Sequence, residues 1–462
     1  MSASARNANG KSWPTLPLGE IAEVKLGKML DKSKHTTGQR LPYLRNINVR
    51  WGSVDTSDLL EMHFKGDELD RFDLQKGDVL VCEGGEPGRA AVWNNSIPDI
   101  KYQKAIHRIR FKRPYEPRLL VYLLELLAKT GRLERRFTGS TIKHFTREAI
   151  VQLPIPTPPL DEQQRIVAEI EKQFTRLDAG VASLKRVQTA LTRYRASVLK
   201  AACEGRLVPT EAELARKDNR SYETGEQLLR RILKERHAKW NGKGKYKEPG
   251  TPNVRDLPNL PTGWTWCSSE AVFSFVTSGS RGWAKYYSAA GSLFLRIGNL
   301  NHEDIRLDLR DIQHVEPPKG AEGTRTVVQH GDILISITAD IGMVAVVPEN
   351  LGEAYINQHV ALARPVSSIS TEYVAHYLSA SQGGWKHLKK LQRGATKIGL
   401  GLDDIRSVPI TLPPLAEQER IGAELERRLS VIEELEAVTS TELQRATRLR
   451  QSILQQAFAA RS

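Results

Sequence analysis

The stretch LPIPTPPLDEQQRI at residues 153–166 returns as VPITLPPLAEQERI at residues 408–421, a displacement of 255 residues. The displacement holds without a gap through RYRASVL at 193–199 and RLRQSIL at 448–454. Upstream it drifts. Tyr102-Gln103 matches Asn357-Gln358 at 255, Gly77–Leu80 matches Gly331–Leu334 at 254, and Tyr43-Leu44-Arg45 matches Phe294-Leu295-Arg296 at 251. Loops absorb insertions cheaply and a length-critical helix does not. Each copy therefore reads as a globular part followed by a helical part of fixed length, an internal repeat with pseudo-two-fold symmetry.

The helical parts begin after the Pro-Pro pairs, because the residue before a proline is pushed out of the α region. Asp161 is the expected N-cap of the first. Ile170, Phe174, Leu177, Val181, Leu184, Leu191, Tyr194 and Val198 follow at spacings of three and four, with Leu177, Leu184, Leu191 and Val198 in heptad step. The second copy carries Leu425, Leu429, Ile432, Leu435, Val438, Leu443, Leu449 and Ile453. A helix of about 43 residues would run roughly 65 Å. Such a stripe needs a partner, and the matching stripe supplies one as an antiparallel coiled coil that would act as a spacer.

In the globular parts, runs such as Val79-Leu80-Val81, Ile333–Ile337 and Val344–Val347 lie between Gly, Pro and Asn turns, with amphipathic segments at 118–127 and 372–378. The predicted class is α+β: two β-rich domains separated by two long helices. The expected boundaries are 1–157 for the first domain, 158–206 for its helix, 207–259 for a charged linker, 260–412 for the second domain and 413–462 for its helix. Within the linker, 225–240 predicts a short helix with Leu228, Leu229, Ile232 and Leu233, and the rest reads as flexible.

Bulk chemistry narrows the function. Among 462 residues, 68 Lys and Arg against 54 Asp and Glu give a net charge of +14, which favours a polyanionic partner such as nucleic acid. Cys82, Cys203 and Cys267 are too scattered for a zinc knuckle or a disulfide framework, and read as buried thiols of a cytoplasmic protein. No run reaches the length of a membrane span, and the polar start of the chain lacks a signal core.

Motifs of catalysis fail on context. Gly10-Lys11-Ser12 lacks the first glycine of a phosphate loop and the preceding strand. The segment 84–88, Gly-Gly-Glu-Pro-Gly, suits a tight turn better than a dinucleotide cradle. No Asn-Pro-Pro-Tyr or Asp-Pro-Pro-Tyr appears, and the histidines form no HExxH. Binding chemistry remains, since base edges are read by Asn, Gln and Arg while Lys, Arg, Ser and Thr hold phosphates. The first domain offers Arg45, Asn46, Asn48, Arg50, Lys101, Gln103, Lys104, Ser140, Thr141 and Lys143; the second offers Arg281, Lys285, Arg296, Asn299, Asn357, Gln358, His359, Thr396 and Lys397. The two sets occupy equivalent places.

Taken together, the doubled Leu-Arg-x-x-Asn at 44–48 and 295–299, the Gly-Asp segments at Gly77 and Gly331, Gly139-Ser140-Thr141 with Gly394-Ala395-Thr396, and the two Pro-Pro-Leu-x-Glu-Gln segments resemble the specificity subunit of type I restriction–modification systems. The resemblance covers nearly the whole chain. It implies a noncatalytic subunit whose two target-recognition domains each read half of a gapped site in double-stranded DNA. It further implies that the helices, through Phe174, Leu177, Leu184, Leu191, Leu429, Ile432, Leu435 and Ile453, dock two modification (methyltransferase) subunits. Restriction and translocase subunits would join them. S-adenosylmethionine, ATP and Mg would then belong to the partners, with no cofactor in this chain. Alternatives are an adaptor of a related phage-defence system, a coiled-coil adaptor without sequence readout, and a self-contained DNA-modifying enzyme.

Overall fold

The computed structural model describes residues 13–29, 37–94, 97–240, 245–317, 320–392 and 399–459. It divides into two compact units, Met1–Arg186 with Thr439–Ser462 and Val187–Val438. The first unit holds a four-stranded antiparallel sheet in the order Ala22–Leu26, Ile106–Phe111, Val79–Cys82, Ala90–Val92. A three-stranded sheet, Leu60–Phe64, Gln39–Leu44, Lys101–Tyr102, ends in a parallel pair. The second unit repeats the plan with Phe273–Ser278, Val360–Pro365, Ile333–Ser336, Val344–Val346 and a parallel pair of Ser292–Leu295 with Ala354–Ile356. The α+β class and the duplication are thus present, with Tyr287–Ser288 as an extra strand in the smaller sheet of the second unit.

Each central strand is buried on both faces. Side chains alternate along a strand, so Val79 and Val81 join the core under helix Pro117–Lys129 while Leu80 and Cys82 face the core of the smaller sheet. Ile333 and Ile335 are divided from Leu334 in the same way. All three cysteines are buried thiols.

The two long helices are Leu160–Cys203 and Leu415–Phe458, 44 residues each. Asp161 lies inside the first turn rather than at the cap, since Leu160 is already helical. A glutamine fastens each start instead. Buried Gln163 donates from Nε2 to the Pro158 carbonyl at 2.8 Å, and its Oε1 accepts from the Glu116 N–H at 2.8 Å, at the head of helix Pro117–Lys129. Buried Gln418 donates to the Pro413 carbonyl at 2.8 Å and accepts from Ser370 N–H at 3.0 Å, at the head of helix Thr371–Ser379. The repeated motif is a joint between helix and domain.

Within each unit, stretches of the two long helices pack together. In the first unit Val167, Ile170 and Phe174 share a core with Ile453, Leu454 and Phe458. Arg450 lies 3.8 Å over the Phe174 ring and pairs with Glu125 and Asp178. In the second unit Arg195 meets Glu436 at 3.0 Å, whereas Ala202 and Cys203 meet Leu425, so the helices run antiparallel. The expected docking residues Phe174, Leu191, Leu429, Ile432 and Ile453 are therefore corrected to intrachain core, because their apolar surface is already covered. Leu177 and Leu184 are half-buried, and Leu435 is exposed.

The short helix expected at 225–240 is present, and the linker holds further order besides it. Helix Gly225–Ala238 buries Leu228 and Ile232 in the core of the second unit. A further helix, Glu211–Lys217, starts at a capping box on Thr210, and buried Glu211 pairs with Arg220 and Arg420. Buried Glu417 of the second joint accepts from Glu211 N–H and from Trp264 Nε1. Residues 241–244, in the part of the linker expected to be flexible, lie outside the described residues.

Replacing Gln418 by Leu leaves the Ser370 N–H without its acceptor, and we expect a loss of about 1–3 kcal/mol in urea unfolding. A second expectation concerns acid. Buried His107 contacts the Phe145 carbonyl through Nε2 at 3.0 Å while its Nδ1 has no partner among the described residues, and burial lowers its pKa to about 4. Below the usual value near 6.5 the unfolded chain binds a proton that the folded chain refuses, so stability falls as pH drops from 6.5 towards 4, by about 2 kcal/mol at pH 5. His107→Gln should flatten this part of the stability–pH profile of the first unit.

Candidate nucleic-acid interface

In each domain the parallel strand pair ends at a cluster of loops. After strand Gln39–Leu44 the chain makes a 3-10 turn at Asn46–Asn48. Asn48 is buried, accepts from Arg45 N–H at 2.9 Å, and donates to the carbonyls of Asp55 and Asp58 at 3.0 Å each. The Arg45 guanidinium holds the Asp58 carboxylate at 2.6 Å. In the second domain Asn299 accepts from Arg296 N–H at 2.8 Å and donates to Asp308 and Asp311 carbonyls at 2.8 and 3.0 Å, while Arg296 pairs with Asp311 at 3.4 Å. The Leu-Arg-x-x-Asn signature is a loop staple. Asn48 and Asn299 are corrected from DNA-binding candidates to structural residues, because each amide is spent on backbone groups.

Two more candidates change role. Lys101 is buried against Asp73 at 3.2 Å. Asn357 is buried, and its Oδ1 caps the His359 N–H at 3.0 Å. Both shape the loop rather than face solvent.

The remaining candidates of the first domain are gathered on one edge. Arg89 donates to the Asn46 carbonyl at 2.8 Å and to Glu86 at 2.9 Å, and Trp51 Nε1 donates to Glu86 at 2.7 Å. These bonds bring Asn46 and exposed Arg50 beside the 84–88 turn. Glu83 N–H reaches the Ala105 carbonyl, and Phe145 N–H reaches the Glu83 carbonyl, which adds Gln103, Lys104 and the 138–144 loop. Thr138 and His144 close that loop with paired backbone bonds of 2.9 Å, leaving Ser140, Thr141 and Lys143 exposed. At Gly85, with φ of +78°, a Cβ would come within 2.9 Å of Asn46 Nδ2, so the turn seats closely on that loop.

The second domain gathers its loops alike. Asn357 N–H binds the Leu295 carbonyl, and Ile337 N–H binds the His359 carbonyl. His359 Nδ1 lies 2.6 Å from Thr338 Oγ1, and Gln358 Nε2 lies 3.1 Å from His359 Nε2. Gln358 and His359 are half-exposed. Arg281 and Lys285 are exposed in the segment that follows Gly279, where a Cβ would sit 2.2 Å from the Asn357 backbone. Thr396 and Lys397 lie outside the described residues.

Sequence reasoning missed Glu86 and Arg89, whose role depends on contacts 35 and 43 residues away in sequence, and the exposed Ile47 and Ile142, which carry no polar signal. Among the described residues, no group of three His, Cys, Asp or Glu side chains is placed to hold a metal ion. The edge can accept a duplex chemically, with amides and hydroxyls for base edges and lysines for phosphates.

The family model for the type I restriction modification DNA specificity domain matches residues 10–186 and 321–445. The chain is 23% identical to the specificity subunit of the type I restriction enzyme EcoBI of Escherichia coli, over 98% of this chain and 88% of that one. It is 21% identical to the EcoKI specificity subunit of Escherichia coli strain K12, over 97% and 89%. A solved chain from work on complex assembly and conformational transition of the type I R-M system aligns over 96% of this chain and 97% of that one, at 22% identity and a TM-score of 0.62, which shows a shared fold.

Asn299→Ala should release the loop between Arg296 and Asp311. We expect faster amide hydrogen exchange across 297–311 and a stability loss of about 1–3 kcal/mol, with the loops of the first unit unchanged.

Proposed function

The chain belongs to the family of type I restriction modification DNA specificity domains, and from that premise we propose that it is the noncatalytic subunit that directs a DNA methyltransferase and restriction enzyme to a bipartite, gapped target. The observation that carries the reading is the duplication of one loop-bearing edge, built by the same staple in both domains and furnished with different side chains. Each edge reads one half-site. The two long helices are the ruler between them, since their 44-residue lengths match while the loops differ.

The partners under this reading are double-stranded DNA, two modification subunits bringing S-adenosylmethionine, and restriction and translocase subunits bringing ATP and Mg. This chain holds the duplex and supplies the address. Lys104, Lys143, Arg281 and Lys285 suit phosphates, whereas Asn46, Gln103, Ser140, Thr141 and Gln358 suit base edges. The assembly acts in the cytoplasm, in keeping with described helices none of which is long and apolar enough to cross a membrane. A self-contained modifying enzyme would methylate or cut DNA as the purified chain alone, and a non-reading adaptor would lose no target choice on mutation of these loops.

Base-resolved methylation mapping of cells carrying the system should reveal a two-part motif that disappears when the chain is deleted. Equal lengthening of both long helices by a few residues should alter the gap and leave both halves intact; an unchanged gap refutes the ruler. Lys104→Ala and Lys143→Ala should each lower the slope of log binding against log salt by about 1 without shifting sequence preference.

A further inference from the structure

Two large apolar side chains stand in water on the reading edge of the first domain. Ile47 is 50% exposed and Ile142 is 66% exposed. Burial of apolar surface stabilises folding, so an isoleucine held out in solvent forgoes that gain. Neither position is a floppy tip. Ile47 sits between Asn46, whose carbonyl is held by Arg89, and Asn48, whose amide is bonded on both sides. Ile142 sits in the loop closed by Thr138 and His144, where Gly139, at φ of +92°, could not carry a Cβ, which would lie 2.1 Å from the Ile142 carbonyl.

The two loops flank one turn. Asn46 approaches Gly85, and His144 approaches Gly84. Exposed Lys104, Lys143 and Arg50 belong to the same loops, which suits a polyanion and works against a neutral apolar protein surface. The second domain has Gly298 where the first has Ile47, so this apolar feature belongs to one copy. Base edges in the major groove present one apolar group, the thymine 5-methyl.

We propose that Ile47 and Ile142 are specificity-determining contacts that read thymine 5-methyl groups, so that the half-site of the first domain contains thymine recognised by its methyl. The inference rests on the two-half reading above and assigns to one edge a chemistry that the other edge lacks at Ile47.

The test uses the assembled methyltransferase complex. Selection from a pool of randomised duplexes gives the target, and each thymine of the first half-site, on either strand, is then replaced singly by deoxyuridine. Loss of one buried methyl is expected to weaken wild-type binding about three- to fivefold at one or two positions. Ile142→Ala or Ile47→Ala should bind the thymine and uracil duplexes equally at its own position, and Ile142→Leu should restore the difference. Selection of no sequence overturns the two-half reading itself. A first half-site without thymine, or thymine and uracil bound alike by the wild type, overturns only the methyl contact. The contact also falls if Ile142→Ala weakens both duplexes equally, or if it strips modification subunits from the complex while discrimination persists.

Discussion

A buried carboxamide sets how each long helix leaves its domain. A helix start leaves N–H groups without partners, and Glu116 and Ser370, at the heads of the domain helices Pro117–Lys129 and Thr371–Ser379, each have one to place. Gln163 and Gln418 accept those N–H groups while donating to the carbonyl that precedes the long helix, so the two axes share one hydrogen-bonded corner. A flexible side chain there would leave the direction of a 44-residue helix undetermined. With the glutamine bonded on both sides, the helix has a defined exit.

Much of this was legible in sequence, because a repeat compares a chain with itself. The constant displacement marked the helices, and the drift marked loops. The β runs were visible because Val79–Cys82 and Ile333–Ser336 are almost wholly apolar, as strands buried on both faces must be. In the linker the helix over 225–240 was legible from its apolar spacing, and the ordered helix Glu211–Lys217 was not, for a physical reason. Its charges are paired, as Glu211 is with nearby Arg220 and with Arg420 of the second long helix, and a paired charge can be buried where an unpaired one cannot.

The interface was harder to read. Asn48, Asn299, Lys101 and Asn357 have the chemistry of DNA readers, and composition cannot tell whether their donors and acceptors point at a duplex or at their own backbone. Only the partners decide. The reverse error hid Ile47 and Ile142, since an isoleucine in a sequence is assumed to be core. The heptad stripe misled similarly, because spacing reveals an apolar face without saying which neighbour covers it.

The asparagine staple also bears on how such a protein changes. Asn48 and Asn299 grip the loop on both sides through main-chain atoms, so nothing in the grip depends on the two side chains carried between, Asn46-Ile47 in one copy and Ile297-Gly298 in the other. The staple behaves like a tool holder whose bits can be exchanged without realigning the machine. Under the proposed reading, substitution at Asn46 and Ile47 would alter what is touched and leave where it is touched unchanged, which would give point mutation a short route from one recognised sequence to another.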